Sequence, residues 1–280
     1  MSTEHQTKTK PTEQTDEIGL NGGLFSERNL LRASPYVFTL GLFVIWELGC
    51  IVFDVVEYVL PRPSQFFYIL LTRAPDLWGH TLQTLYTTLL GFFLGVVVGV
   101  AIGIAVGSSR LVYVAVYPLL VGFNSIPKVA IVPILVIWFG IGTVPAVITS
   151  MVISLFPVTA NVATGLATTQ AELEDILRAL GASKWDTLVH VGLPSSLPYF
   201  FASLKISISL AFVGTVVSET IAANTGIGSM MMVASSNFDV PLVFAGLIIL
   251  AVMGVLLYAI FAVLEQRMTF WAQTRPNEVQ

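Results

Sequence analysis

Six long apolar runs alternate with short polar breaks along this chain, at about 35–53, 82–107, 111–140, 144–165, 199–222 and 241–264. A helix of about 20 apolar residues crosses the hydrocarbon core of a bilayer. The pattern therefore predicts an all-α integral membrane protein with six transmembrane helices. The third run is interrupted by Pro127 and Pro133, and proline removes a helix hydrogen bond, so a kinked or opened span is expected there. Between the first two runs, "PSQFFYILLTR" (63–73) reads as a short amphipathic element on the membrane surface. Residues 1–29 are polar and are expected to form a disordered cytoplasmic tail. Residues 30–270 form the transmembrane domain, and 271–280 a second tail. No short apolar segment with a small-residue cleavage site opens the chain, so the first run is expected to stay as a span.

Composition agrees with the pattern. The chain is 55% hydrophobic and 11% charged, with a mean hydropathy of +0.83; soluble domains carry about 25% charged residues. The single cysteine, Cys50, cannot form an internal disulfide. Lysine and arginine are in excess on the cytoplasmic side of membrane proteins. With six spans, one side holds Lys8, Lys10, Arg28, Arg32, Arg110, Arg178, Lys184, Lys205, Arg267 and Arg275, and the other holds Arg62 and Arg73. Both termini are thus expected in the cytoplasm.

Charge is distributed unevenly. Between Leu77 and Ala171 only Arg110 and Lys128 carry a formal charge, and then come Glu172, Glu174, Asp175, Arg178, Lys184, Asp186 and His190. Within this island, Leu173, Ile176, Leu177 and Leu180 fall at helical spacing. Gly181 is a natural helix stop that permits positive φ. Ser183 with Asp186 reads as the start of a second helix in capping-box style. Trp185, Leu188 and Val189 give that helix an apolar face, and Pro194 and Pro198 are expected to end it. The island is a bent two-helix module, placed by the charge bias in the cytoplasm. Its apolar faces either pack on the protein's own spans or dock a partner.

The spacing carries a resemblance. Gly181 is followed by nine residues and then by Val191, Gly192, Leu193 and Pro194, while Asp175, Ile176 and Leu177 stand where a Glu-Ala-Ala triplet would. This resembles the EAA loop of permease subunits of ABC importers. "LPRPSQ" (60–65), "NSIPKVAIVPILVIWFGIG" (124–142), "LRALGAS" (177–183) and "SETIAANTGIGSMM" (218–231) look like the nitrate, sulfonate, bicarbonate and taurine group of those permeases. The resemblance implies a type I importer fold working as a homodimer in the cytoplasmic (inner) membrane of a prokaryote. It implies two ATP-binding subunits and an extracytoplasmic substrate-binding protein as partners. It also implies that the loop couples to the ATPase, through Asp175, Gly181, Ala182, Ser183, Trp185, Leu193 and Pro194.

Two further features are candidates for function. Gly91, Gly95, Gly99, Gly103 and Gly107 recur at a strict four-residue interval in the second run. Small residues so spaced let two helix backbones approach closely in lipid, in a contact that either slides during transport or is static. The stripe drifts about 40° per step on a helix of 3.6 residues per turn, so a partner helix would have to wrap around it. The second feature is charge at membrane depth, which is costly and usually faces a cavity or a partner. Lys128, with Asn124 and Ser125, either lines a translocation path or is paired internally with Glu219. For Glu219 and for Glu47 a structural pairing is the expectation, with a snorkelling side chain as the other option for Glu47.

Several chemistries are excluded. No phosphate loop of the form G-x-x-x-x-G-K-[ST] occurs, so no cofactor is expected in this chain; the resemblance implies ATP and Mg on the partner subunits. His5, His80 and His190 are scattered, and no metal cluster or serine–histidine pair can be placed at one depth. The chain is therefore not expected to be an enzyme by itself, nor to bind nucleic acid. The leading expectation is the membrane subunit of an ATP-driven importer for a small anionic or polar solute. An ion-coupled secondary transporter is the alternative, with Lys128 and Glu219 as a relay.

Overall fold

The computed structural model of the protein describes residues 27–168, 176, 177 and 179–270, with side chains from Ser34 onward except Lys184. The two tails at 1–26 and 271–280 lie outside the described residues, as does Asp175. Every described element is helical. Helices α1 (Glu27–Val52), α3 (Ala74–Gly107), α6 (Thr143–Ala167), α8 (Leu193–Ala222) and α10 (Val240–Thr269) are long and apolar enough to cross a membrane. The sixth span is the interrupted run. It consists of α4 (Arg110–Asn124), a 3-10 turn at Lys128–Ile131 and α5 (Val132–Phe139), bent by 76°. Three shorter helices complete the chain: α2 (Pro63–Thr72), α7 (Lys184–Thr187) and α9 (Ile227–Ser236).

The structure departs from the sequence pattern at three places. Helix α3 begins at Ala74 rather than near residue 82 and has 34 residues. At 1.5 Å per residue it is about 51 Å long, so its first turns extend beyond the ~30 Å apolar core. Pro75 favours this early start, because the first turn of a helix does not need its missing N–H. Second, Pro194 and Pro198 do not end the island. A π turn at Leu188–Gly192 lets the Leu193 N–H donate to the Leu188 carbonyl. That extra residue sets Pro194 in the first turn of a new helix, and the island runs on into α8. Third, the glycine-containing stretch after Ala222 is the turn its sequence suggests, but it leads into a ten-residue helix, α9, too short to cross.

Helices α3, α6 and α8 form the centre of the bundle. α10 packs on α8, and α9 sits between α8 and α10. The main core cluster joins Phe92 of α3 to Leu204, Ile208 and Ala211 of α8 and to Met253 and Leu257 of α10. The glycine stripe faces α6 along its length. Gly91 lies against Ser150, Gly95 against Ser154, Gly99 against Val158, Gly103 against Val162 and Gly107 against Leu166. Both partners advance by four residues in the same direction, so α3 and α6 run parallel and wrap around each other. The Thr159 hydroxyl donates to the Gly99 carbonyl at 3.2 Å and the Ser150 hydroxyl to the Thr88 carbonyl at 3.4 Å, ties that glycine permits by letting the backbones meet.

Helix α1 lies at the periphery and touches the rest mainly near its end. Trp46 packs between Phe66 of α2 and Phe244 of α10, both at 5.6 Å between ring centres. Among the described residues, Glu47 forms no ion pair. Its carboxylate accepts from the Ser64 N–H at 3.0 Å and the Ser64 hydroxyl at 2.8 Å. These lie in the first turn of α2, where unpaired amide donors favour an anion.

Candidate functional site

The island is built by two caps, the second of them reciprocal. Gly181 has φ +83° with open space around its Cα, so backbone conformation rather than crowding calls for glycine. The Ala182 N–H donates to the Leu177 carbonyl at 3.0 Å, the six-to-one bond that closes a helix at a left-handed glycine. The next helix starts at once. The Asp186 N–H donates to the Ser183 hydroxyl at 3.2 Å, and the Ser183 N–H donates to the Asp186 carboxylate at 3.0 Å. His190 Nδ1 lies 2.9 Å from the Asp186 carbonyl. Little slack is left in this bend.

The apolar residues of the island split between two faces. Leu188 and Leu193 pack on Val158, Val162 and Leu166 of the chain's own α6. Ile176, Leu180 and Trp185 point away, with Leu180 79% and Trp185 69% exposed. Both expectations for the island therefore have residues on their side: an inner face that holds the module to the bundle and an outer face that is open.

At the broken span, Lys128 Nζ donates to the Asn124 carbonyl at 2.8 Å and to Asn124 Oδ1 at 2.9 Å, and it lies 4.9 Å from the Phe156 ring centre. The ammonium thus sits on the carbonyl end of α4, where a cation is favoured, and over an aromatic face that attracts it. Ser125 turns back to the Val121 carbonyl. An ion pair with Glu219, one of the two sequence expectations for Lys128, is not formed. Asn124 and Ser125 are exposed and Lys128 is half-buried, so this corner borders open space.

Glu219 stands in the last turn of α8, 2% exposed. Among the described residues it pairs with no cation. Its Oε2 accepts from the Thr84 hydroxyl at 2.8 Å and from the Gly228 N–H at 3.1 Å. Thr84 in turn accepts from the Ile227 N–H at 2.8 Å, and His80 Nδ1 from the Gly226 N–H at 3.1 Å. Gln83 reaches Thr143 at 3.1 Å, at the start of α6. The sequence pattern misses this group, because a second span starting at residue 82 leaves His80 outside. The signal is nonetheless present: His80, Gln83, Thr84 and Thr87 share one face of α3 at helical spacing. Among the described residues, no group of three or more His, Cys, Asp or Glu is arranged to hold a metal.

Comparison with known proteins bears on this geometry. Residues 91–270 match the family described as "Binding-protein-dependent transport system inner membrane component". The riboflavin transport system permease protein RibX of Chloroflexus aurantiacus is 36% identical over 234 residues, 82% of this chain and 87% of that protein. The formylaminopyrimidine transport permease protein ThiX of Halalkalibacterium halodurans is 33% identical over 246 residues, covering 88% and 98%. In fold, the chain is similar to a chain of the MetNI methionine ABC transporter in an inward-facing conformation. The TM-score there is 0.62 at 19% identity, covering 70% of this chain and 98% of that one.

Proposed function

The chain belongs to the family of binding-protein-dependent transport system inner membrane components and is an ABC transporter permease, and on that premise we propose how its parts divide the work. Two copies pair to form the path. Two ATP-binding subunits, which carry the ATP and Mg, dock on the cytoplasmic island, and an extracytoplasmic binding protein delivers the solute at the opposite end. Both termini face the cytoplasm.

The observation that carries this reading is the outer face of the island. Ile176, Leu180 and Trp185 are apolar and exposed on a module bordered by charge, the kind of patch that marks a protein contact. Gly181, Ala182 and Ser183 set the bend. Leu193 and Pro194 join it to α8, so a push on Trp185 is passed into a spanning helix through a continuous stretch of helix. Asp175 completes the docking segment. At the broken span, Lys128 with Asn124 and Ser125 borders the path and favours an anionic or polar solute. Names of relatives such as riboflavin and formylaminopyrimidine permeases are consistent with a small polar cargo.

The test is solute uptake into vesicles holding the chain with its partner subunits. Uptake that requires ATP and both partners is the expected result. Uptake driven by an ion gradient alone, without ATP, would return the ion-coupled alternative, for which the enclosed Glu219 and the separately bonded Lys128 offer no relay.

A further inference from the structure

Helix α10 packs on α8, the helix into which the island runs. Most of their contact is apolar. Leu204, Ile208 and Ala211 meet Met253 and Leu257, and farther from the island a methyl on Gly254 would stand 3.1 Å from the Phe212 ring. One tie is different in kind. Lys205 Nζ donates to Glu265 Oε2 at 2.6 Å, with the two side chains 27% and 17% exposed. Among the described residues this is the one ion pair between two spanning helices, since Arg73 and Asp239, which also pair, lie just before α3 and α10. Lys205 stands about 18 Å along α8 from Leu193, at 1.5 Å per residue, and Glu265 stands in the last turns of α10. The pair therefore holds the half of the contact nearer the island.

We infer that Lys205 and Glu265 are positioning residues: their pair clamps α10 to α8, so that a push delivered by the island moves the two helices as one body. The apolar part of the contact cannot do this alone. Apolar side chains gain nothing from leaving lipid for one another, and such attraction is non-directional, so one register of α8 on α10 is little better than the next. The ion pair is directional. A slip of one helical turn, about 5.4 Å, would part the ammonium from the carboxylate. Each would then be left largely buried without its partner, which is strongly unfavourable. The clamp therefore selects one register and holds it under load. The push rests on the importer reading above; the clamp itself does not.

The test reads the full chain, assembled with its partner subunits in lipid, in two ways. The first is the distance between nitroxide labels on Leu197→Cys of α8 and Gln266→Cys of α10, both exposed positions, with Cys50→Ala to remove the native thiol. The second is solute taken up per ATP hydrolysed. The parent should give one narrow distance that ATP leaves unchanged. Lys205→Leu with Glu265→Leu removes both charges together, a change that buried pairs tolerate. It should broaden the distance and lower uptake per ATP roughly twofold or more. The exchanged pair, Lys205→Glu with Glu265→Lys, should restore both readings. Lys205→Gln with Glu265→Gln keeps only a neutral hydrogen bond; it should show a smaller loss of the same kind, and it decides the matter should the leucine pair not assemble. A parent-like distance or a parent-like uptake per ATP in the leucine pair overturns the inference, as does an exchanged pair that behaves like the leucine pair. A parent chain without ATP-driven uptake fails the importer reading instead, while the distance still reports on the clamp.

Discussion

Gly99 of α3 and Val158 of α6 meet so closely that a methyl on Gly99 would stand 3.0 Å from the Val158 Cβ and 2.9 Å from the Leu155 carbonyl oxygen. The same approach repeats one turn up and one turn down. The two helices are thus bound backbone to backbone, in a medium where apolar side chains gain nothing from leaving lipid for protein and close packing must supply the affinity.

Gly99→Ala should therefore lower the melting temperature in detergent, with a cost of about 1–3 kcal/mol for overpacking. Gly99→Leu should prevent recovery of folded chain. Equal stability of Gly99→Leu and the parent would mean that α3 and α6 do not pack along this stripe.

The cap on α2 gives a second test. Glu47→Ala removes the acceptor for the Ser64 N–H and hydroxyl and should cost about 0.5–2 kcal/mol, the range of a lost helix cap. Glu47→Gln keeps an acceptor and should lose less. A larger loss in Gln than in Ala, by thermal unfolding, would contradict the cap.

The sequence pattern was informative wherever one helix decides its own fate. The spans, the left-handed Gly181, the Ser183–Asp186 cap and the four-residue glycine repeat are all local signals. It failed where a bond joins distant segments. Glu47 looked like an acid in need of a cation because Ser64, its partner, is supplied by another helix. A Lys128–Glu219 pair was one of two readings of Lys128 because each was the only charge in its stretch, yet Lys128 satisfies itself on Asn124 and Glu219 on Thr84 and Gly228. The island looked as if it stopped at Pro194 because a π turn leaves no mark in periodicity.

That separation is testable by a double-mutant cycle. Lys128→Met and Glu219→Gln should be additive in stability within about 0.5 kcal/mol, as independent sites are. Lys128→Met should leave ATP hydrolysis in the assembled complex intact and slow uptake, and Lys128→Arg should keep part of it. Rescue of Lys128→Met by Glu219→Gln would contradict the separation and favour a Lys128–Glu219 ion pair.

Gly181→Val places a β-branched residue at φ +83°, a genuine outlier for such a residue. The strain is about 1–3 kcal/mol, enough to shift the bend between the two helices of the island. Reduced ATPase activity of the assembled complex, with the chain still folded in the membrane, is the expected reading; unchanged activity would show that the bend does not matter for coupling.

The most direct measurement of the central claim is recovery of the ATP-hydrolysing subunit on Trp185→Glu. Trp185 is 69% exposed, so the variant chain should insert and fold as the parent does. An aromatic anchor in an interface is worth about 2 kcal/mol or more. The account predicts at least a roughly tenfold fall in co-purified ATPase subunit, together with loss of ATP-driven uptake. Undiminished co-purification and uptake would contradict it.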